Sequence, residues 1–321
     1  MLGGRKRRPP FSLQYSHPTF RLMINFIVPS SFEAITGMPD LVGLFFAFAF
    51  GSIVGSFLNV VIHRVPNEES IVFPNSSCPK CKTAIKPYDN IPMVSWLMLG
   101  GKCRSCKAPI SARYPAVELL TGVIFALVFW QIGLNAFLPV AFVFAAVMVS
   151  LIFIDAGHMI LPNAITYPLF AFAILVRLVY PLAFGTEYFS DMHYAPATWM
   201  IGYPAWSVSL ASALVGALAG GGSLWLVGEL WKRLRGVEAM GLGDVKMMLG
   251  VGALLGWRLT LLSIFLGAFS GALIGIIVIA KQKDRDMQAQ VPFGIFLGTG
   301  SLLALLFGEK LIAWYTSNFL I

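Results

Sequence analysis

Between Leu41 and Ile62 the chain runs for 22 residues without a charged side chain, and comparable stretches follow almost to its end. A helix needs about 20 apolar residues to cross a hydrocarbon layer of ~30 Å, where no water is available to unpaired backbone groups. Of the 321 residues, 57% are hydrophobic and 12% charged, and the mean hydropathy is +0.77. Ordinary globular domains carry about 25% charged residues, so a soluble enzyme is excluded. The hydrophobicity excludes disorder, and the presence of only four cysteines excludes a disulfide-rich secreted scaffold. What remains is an all-α polytopic membrane protein in contact with a lipid bilayer.

Eight stretches predict about eight transmembrane helices: Leu41 to Ile62, Pro115 to Leu134, Ala136 to Ile154, Ala164 to Phe184, Pro204 to Gly228, Val245 to Trp257, Leu259 to Ala280 and Val291 to Trp314. The sixth has only ~13 residues and cannot cross unless Gly241 to Asp244 dip into the layer. Residues 1–40 open with Arg5, Lys6, Arg7 and Arg8 ahead of Pro9 and Pro10. They lack the small-residue cleavage site of a secretory signal and read as a disordered extension, with Met38 as an alternative start. Residues 63–114 are the one substantial polar segment, and 115–316 hold the remaining spans.

The net charge of +8 reads as orientation and not as a nucleic-acid surface, because Lys and Arg concentrate in cytoplasmic loops. With residues 63–114 in the cytoplasm, three basic tracts share that side. The first holds Arg64, Lys80, Lys82, Lys86, Lys102, Arg104, Lys107 and Arg113; the second Lys232, Arg233, Arg235 and Lys246; the third Lys281, Lys283 and Arg285. The opposite side keeps Arg258 and Lys310, with Glu187 and Asp191 in its longest loop. Only the basic amino-terminal tail breaks the rule.

All four cysteines lie in the polar segment, as Cys78-Pro-Lys-Cys81 and Cys103-Arg-Ser-Cys106 with 21 residues between the pairs. Each C-x-x-C turn aims two sulfurs at one point, and two such turns complete a closed tetrahedral zinc site of the structural type, one ion per chain. A segment of ~50 residues is too small to be held by core burial alone, so a metal bond supplies the missing folding free energy. The alternative is free thiols or disulfides.

Two acids stand at span ends on the same predicted face. Asp155 closes the third span and Asp244 opens the sixth, within Met240-Gly241-Leu242-Gly243-Asp244-Val245-Lys246. Ionisable groups at or inside a bilayer are costly and point to function by default. Two carboxyls a few ångströms apart cannot both ionise, so one acts as general acid while the other activates water. Gly241 and Gly243 allow the close backbone approach that a carboxylate at a helix break requires. Taken singly, either aspartate is more often a helix cap or a solvated boundary residue. Glu118 and Glu229 are further candidates, each with an interfacial partner in reach. Arg177 lies deep in the fourth span and needs a partner. The Gly220-Gly221-Gly222-Ser223 run and Gly267, Gly271 and Gly275 read as close helix packing. His63 and His158 read as solvated interfacial residues.

Taken in order, these pieces resemble the type IV prepilin peptidases, a bifunctional group of GxGD aspartic proteases. The resemblance rests on the stretch from Gly55 to Arg64, the two C-x-x-C pairs, Ile91-Pro92-x-x-Ser95-Trp96-Leu97 and Gly101. It continues through Ile110-Ser111-x-Arg113-Tyr114-Pro115-x-Val117-Glu118, Asp155 to Leu161-Pro162-Asn163, Gly241-x-Gly243-Asp244-Val245-Lys246 and Pro292-Phe293-Gly294. It covers about residues 41 to 300. The resemblance implies that Asp155 and Asp244 are catalytic, supported by Gly241, Gly243, Lys246, Pro292, Phe293 and Gly294. It implies an enzyme of the bacterial inner membrane that removes the leader of prepilins or type II secretion pseudopilins after a glycine, at the cytoplasmic face. It further implies methylation of the new amino terminus from S-adenosyl-L-methionine, associated with residues 63–114. Asn59, Arg64, Arg113 and Glu118 are the polar groups there that are candidates for holding the methyl donor, although no glycine-rich nucleotide loop marks a pocket. The peptidase domain is expected over 115–316.

A second reading is an ion- or proton-coupled transporter, with Asp155, Arg177 and Asp244 as relays and the zinc loop as a cytoplasmic gate. It requires acids near mid-bilayer and half-sequence repeats, and the sequence shows neither. A third, a non-enzymatic assembly factor, leaves unexplained why two acids share one face.

Overall fold

The computed structural model describes residues 32–184, 202–237, 240–281 and 292–319. Its helices are α1 (Phe32–Thr36), α2 (Asp40–Arg64), α3 (Val94–Met98), α4 (Arg113–Ile132), α5 (Leu138–His158), α6 (Asn163–Phe184), α7 (Ala205–Ala217), α8 (Ser223–Arg235), α9 (Leu242–Lys281) and α10 (Phe293–Phe319). No strand occurs among the described residues; two isolated antiparallel bridges, Ser77 with Ala84 and Lys102 with Pro109, are the extent of β structure. Among the described residues, seven helical elements are long and apolar enough to cross a membrane. The all-α polytopic reading therefore holds.

The spans end where the sequence stops supporting a helix. Gly133 (φ 74°) closes α4 by donating its N–H to the Phe129 carbonyl at 2.8 Å, and Gly236 (φ 72°) closes α8 on the Lys232 carbonyl, also at 2.8 Å. Lys232, Arg233 and Arg235 occupy the last turn of α8, where the helix dipole favours cations. α7 and α8 are joined through a wide turn over Leu218–Gly222, so the fifth span is one 31-residue element reaching Arg235.

The sixth and seventh apolar stretches are the two arms of one element. α9 carries non-helical backbone at Gly256 (φ 79°, ψ 168°). A Cβ placed on Gly220 would touch both the Met248 carbonyl and the Thr260 methyl group, residues that a straight helix would hold ~18 Å apart. On the other flank, the Ser301 hydroxyl meets the Met248 sulfur at 4.0 Å, while its neighbour Gly300 packs on the Ser263 carbonyl. Both comparisons require the chain to fold back at Gly256 into a helical hairpin. The first arm, Leu242 to Leu255, is short because it is not a span in its own right.

Glycines set the contacts of this hairpin. Gly216 of α7 and Gly252 of the first arm face each other so closely that a Cβ on either would overlap the other's carbonyl. Gly220 and Gly221 bring the wide turn equally close to the backbone at Val245 and Met248. The packing expected for the Gly220 run is thus observed, as it is for Gly267 against Phe296 and Leu297 of α10. Gly275 meets nothing within 4 Å and plays no such part. On the amino-terminal side, α2 lies along α4 through Gly51 against Phe125, Gly55 against Glu118 and Thr121, and Gly122 against Phe48 and Ser52. In lipid, where apolar surface alone drives no helix association, such close backbone contact is the main source of packing energy.

Of the expected extension, residues 1–31 lie outside the described residues; Phe32 in α1 packs edge-on against Phe129 at 5.9 Å. Glu187, Asp191, Lys283 and Arg285 also lie outside them.

Gly216→Ala gains about 1 kcal/mol of helix propensity, but its methyl group has no space and overpacking costs about 1–3 kcal/mol, more where backbone must move. The purified variant is expected to melt several degrees below the parent protein. Gly275→Ala is expected to melt no lower than the parent. Equal losses in the two variants would contradict the hairpin packing.

Candidate active site

α5 ends at one edge of the bundle in Ile154-Asp155-Ala156-Gly157-His158. The turn is closed by Met159 in the left-handed region (φ 54°), whose N–H reaches the Asp155 carbonyl at 2.9 Å. Asp155 is 5% exposed. Its Oδ2 accepts the N–H of Ile295 at 3.0 Å, in the first turn of α10. Free amides and the positive end of the helix dipole make that terminus a natural seat for a carboxylate. Gly294 passes so near that a Cβ there would lie 2.7 Å from Asp155 Oδ2. The Pro292-Phe293-Gly294 motif thereby acquires a physical reason: it starts α10 and presents its amides with no side chain in the way.

Asp244 sits in the first turn of the hairpin's inner arm and is 9% exposed. Its amide bonds to the Gly241 carbonyl at 3.1 Å. Its Oδ1 is buried and has no hydrogen-bond partner among the described residues, which is costly unless a proton, water or substrate completes it. The carboxyl lies within electrostatic reach of Asp155. The structure therefore brings together the two acids that the sequence separates by 89 positions.

Leu161, which the sequence marks only as part of the Asp155 to Leu161-Pro162-Asn163 stretch, packs against the glycines that neighbour the two acids. Its side chain lies 2.9 Å from where a Cβ of Gly243 would be and 3.1 Å from that of Gly294. Both glycines are needed to admit it. Beside it, Met159, Ile160 and Leu242 are exposed apolar side chains. Lys246 Nζ donates to Asn163 Oδ1 at 2.9 Å and lies 5.1 Å from the centre of the Tyr167 ring. It ties the inner arm to the start of α6. Glu229 pairs with Arg233 one turn on, at 2.8 Å.

The cysteine segment forms two matching knuckles. Lys82 and Lys107 both take φ 57°, and each donates its N–H to the first cysteine of its pair, at 2.8 and 3.0 Å. All four sulfurs lie within 4.8 Å of one another, with Cys78 to Cys106 at 3.8 Å and Cys81 to Cys103 at 3.9 Å. A tetrahedron with Zn–S arms of ~2.3 Å has edges of about 3.8 Å, so the donor set fits zinc. Hydrogen bonds with the Thr83 side chain and then its amide pull the Cys81 thiol down to about 6, toward the thiolate a metal takes. Arg104 braces the second knuckle by a bidentate pair with Asp89, at 2.8 Å from Nε to Oδ2, and holds that carboxyl below its ordinary value.

The four polar candidates near α2 and α4 divide. Asn59 donates to the Tyr114 carbonyl at 3.1 Å, and Glu118 accepts the Met93 N–H at 2.7 Å, fastening the turn at Met93 (φ 58°) to α4. Arg64 donates to the Ser70 and Pro74 carbonyls at 2.8 and 2.6 Å; Arg113 is exposed. Of the four, Arg64 alone lines a cavity of about 390 Å³ between α2 and the loop that follows it, whose polar lining also includes Ser56, Asn75, Ser76 and Asn90. Ser56 lies on α2 within the Gly55 to Arg64 stretch, whereas nothing in the sequence sets Asn75, Ser76 and Asn90 apart from ordinary loop residues.

Comparison with known proteins gives a consistent result. The Bacterial Peptidase A24 N-terminal domain matches residues 49–132 and the Type IV leader peptidase family matches residues 142–276. The prepilin leader peptidase/N-methyltransferase of Aeromonas hydrophila is 36% identical over 301 residues, covering 85% of this chain and 93% of that protein. The protein of the same name from Pseudomonas aeruginosa is 34% identical, covering 83% and 90%. Its namesake from Neisseria gonorrhoeae is 39% identical over 259 residues, covering 73% and 82%. No solved structure matches.

Proposed function

The chain belongs to the type IV leader peptidase family, and on that premise we propose that it removes the leader from prepilins or pseudopilins and N-methylates the amino terminus so exposed. The observation that carries the peptidase half is the meeting of Asp155 and Asp244 at one edge of the bundle, one carboxyl on a helix N-terminus and the other with a buried oxygen free for a ligand. One carboxyl takes a proton from a water molecule as it attacks the scissile carbonyl, and the other gives a proton to the departing amine. The Ile295 amide orients the Asp155 carboxylate, and burial excludes competing water. Exposed Met159, Ile160 and Leu242 supply apolar surface for a substrate helix that lies in the same bilayer. The transporter reading loses its third relay, because Arg177 is bonded to backbone carbonyls of the hairpin.

Charge supports a cytoplasmic site in the inner membrane. The edge that carries the aspartates also carries Arg64, Lys232, Arg233, Arg235 and Lys246 and the basic zinc segment, while Arg258 lies at the hairpin tip. Prepilin leaders are short and basic by family resemblance, and the substrate meets the enzyme on the side where such leaders remain.

S-adenosyl-L-methionine, when bound, supplies an electrophilic methyl group for the new amine. The 390 Å³ cavity is within the range of small-molecule sites and mixes polar and apolar walls. Ser56, Asn75, Ser76 and Asn90 would hold the donor there, while Arg64 keeps the loop wall in place through Ser70 and Pro74. Cys78, Cys81, Cys103 and Cys106 would hold a structural zinc that fixes the two knuckles, apart from the aspartates that hydrolyse the peptide.

Asp155→Asn and Asp244→Asn are each expected to lower prepilin cleavage in liposomes by about 10³-fold or more while a pre-cut peptide is still methylated. Normal cleavage by either variant would refute the dyad. Ser76→Trp, which fills the cavity, is expected to abolish equilibrium binding of S-adenosyl-L-methionine and leave cleavage intact; undiminished binding would place the donor elsewhere. Metal analysis is expected to give one zinc per chain, lost in Cys81→Ser, with methyl transfer falling more than cleavage. A parallel loss of both activities would show that the zinc segment serves the peptidase directly.

A further inference from the structure

Arg177 is fully buried in α6, fourteen residues from the end of that helix at the aspartate edge. Its Nε donates to the Ala253 carbonyl at 3.0 Å and its Nη2 to the Leu254 carbonyl at 2.9 Å. These carbonyls belong to the last turn of the hairpin's inner arm, where the break at Gly256 removes the amides that would have taken them. Ala253 and Leu254 are buried in the bundle, so no water replaces those amides, and without Arg177 the negative end of the arm's dipole would be uncompensated. A guanidinium is the one side chain that offers two parallel donors with a permanent charge. The Gly256 carbonyl, on the other side of the break, is met by the Thr260 hydroxyl at 2.6 Å.

The arm so capped has Asp244 in its first turn. From Asp244 to Leu254 is ten residues, ~15 Å along a helix axis. Gly216, Gly220 and Gly221 hold the arm laterally against backbone, and Lys246 ties its outer end to Asn163; at the inner end it is the cap that opposes unwinding and axial shift from Gly256. Such a shift moves Asp244 relative to Asp155, which is fixed separately on α5 and on the amide of Ile295.

We propose that Arg177 is a positioning residue for proteolysis: by capping the inner arm at its buried end it sets the axial position of Asp244 opposite Asp155. This rests on the dyad reading above. The role predicts a selective defect. Misplacement of a reacting group by about 1 Å costs ~10²-fold in rate, whereas the exposed apolar rim and the 390 Å³ cavity do not involve the arm's inner end.

The test is steady-state cleavage of a prepilin by the full chain in liposomes, with methylation of a pre-cut peptide by the same preparations. Arg177→Met is expected to lower kcat for cleavage by at least ~30-fold with KM within about twofold and methylation unchanged. Arg177→Lys, which keeps the charge and one carbonyl bond, is expected to recover a large part of the lost kcat. Gly256→Ala, which puts a Cβ at φ 79°, is expected to give the same kcat-selective defect from the other side of the break. If Arg177→Met does not accumulate in the membrane, the Arg177→Lys and Gly256→Ala results decide by the same criterion. Unchanged kcat, or equal loss of cleavage and methylation, overturns the positioning role. Asp244→Asn run in parallel separates the levels: if it cleaves normally the dyad reading fails, and if it is inactive while the Arg177 variants are normal only this inference fails.

Discussion

Hydrocarbon offers no hydrogen bonds, so a chain that breaks a helix inside it must supply every partner from its own side chains. The hairpin at Gly256 is the place where this protein departs from continuous spans, and the rest of the peptidase region is arranged around it. Arg177 and Thr260 satisfy the carbonyls at the break. The glycines of α7 and of the wide turn at Leu218–Gly222 let neighbouring backbone close on the inner arm. The result is a short helix capped at its buried end and tied to Asn163 near its start, whose first turn presents an acid at the edge of the bundle. Asp155 reaches the same point by simpler means, at the end of an uninterrupted span and on the N-terminus of α10.

The architecture was largely legible because membrane solvation leaves a plain signature. Uncharged runs of about 20 residues marked the spans to within a few positions. Two aspartates at the ends of such runs stood out because charges there are rare, and the paired C-x-x-C turns announced a tetrahedral donor set from spacing alone. The even shortness of the sixth run was visible, although its cause was not. Folding back at Gly256 depends on contacts with Gly220, Ser301 and Arg177, which are remote in the chain.

The illegible parts share a physical origin: they depend on backbone groups or on apolar side chains, which have no distinctive residue type. Arg177 announced a need for a partner, but its partners are carbonyls. Asp155 is held by an amide, and the packing role of Leu161, a member of the Leu161-Pro162-Asn163 motif, shows only when it is seen between Gly243 and Gly294. The same limit applies near the zinc segment. Asn59, Arg64 and Glu118 carry the polar character of ligand-binding residues, yet each is spent on backbone that shapes the loops. Of the four polar residues beside Arg64 in the cavity, Ser56 lies on α2, and Asn75, Ser76 and Asn90 came from loop sequence with no pattern.

We propose that one chain performs two reactions at one membrane edge, the first of them through Asp155 and Asp244. Intact-mass measurement of a pilin incubated with the enzyme and S-adenosyl-L-methionine tests it most directly. The wild-type chain should yield a product that has lost its leader after a glycine and gained one methyl group, and the Asp244→Asn chain should leave the full-length mass unchanged. A leaderless product formed equally by the Asp244→Asn chain would contradict the account.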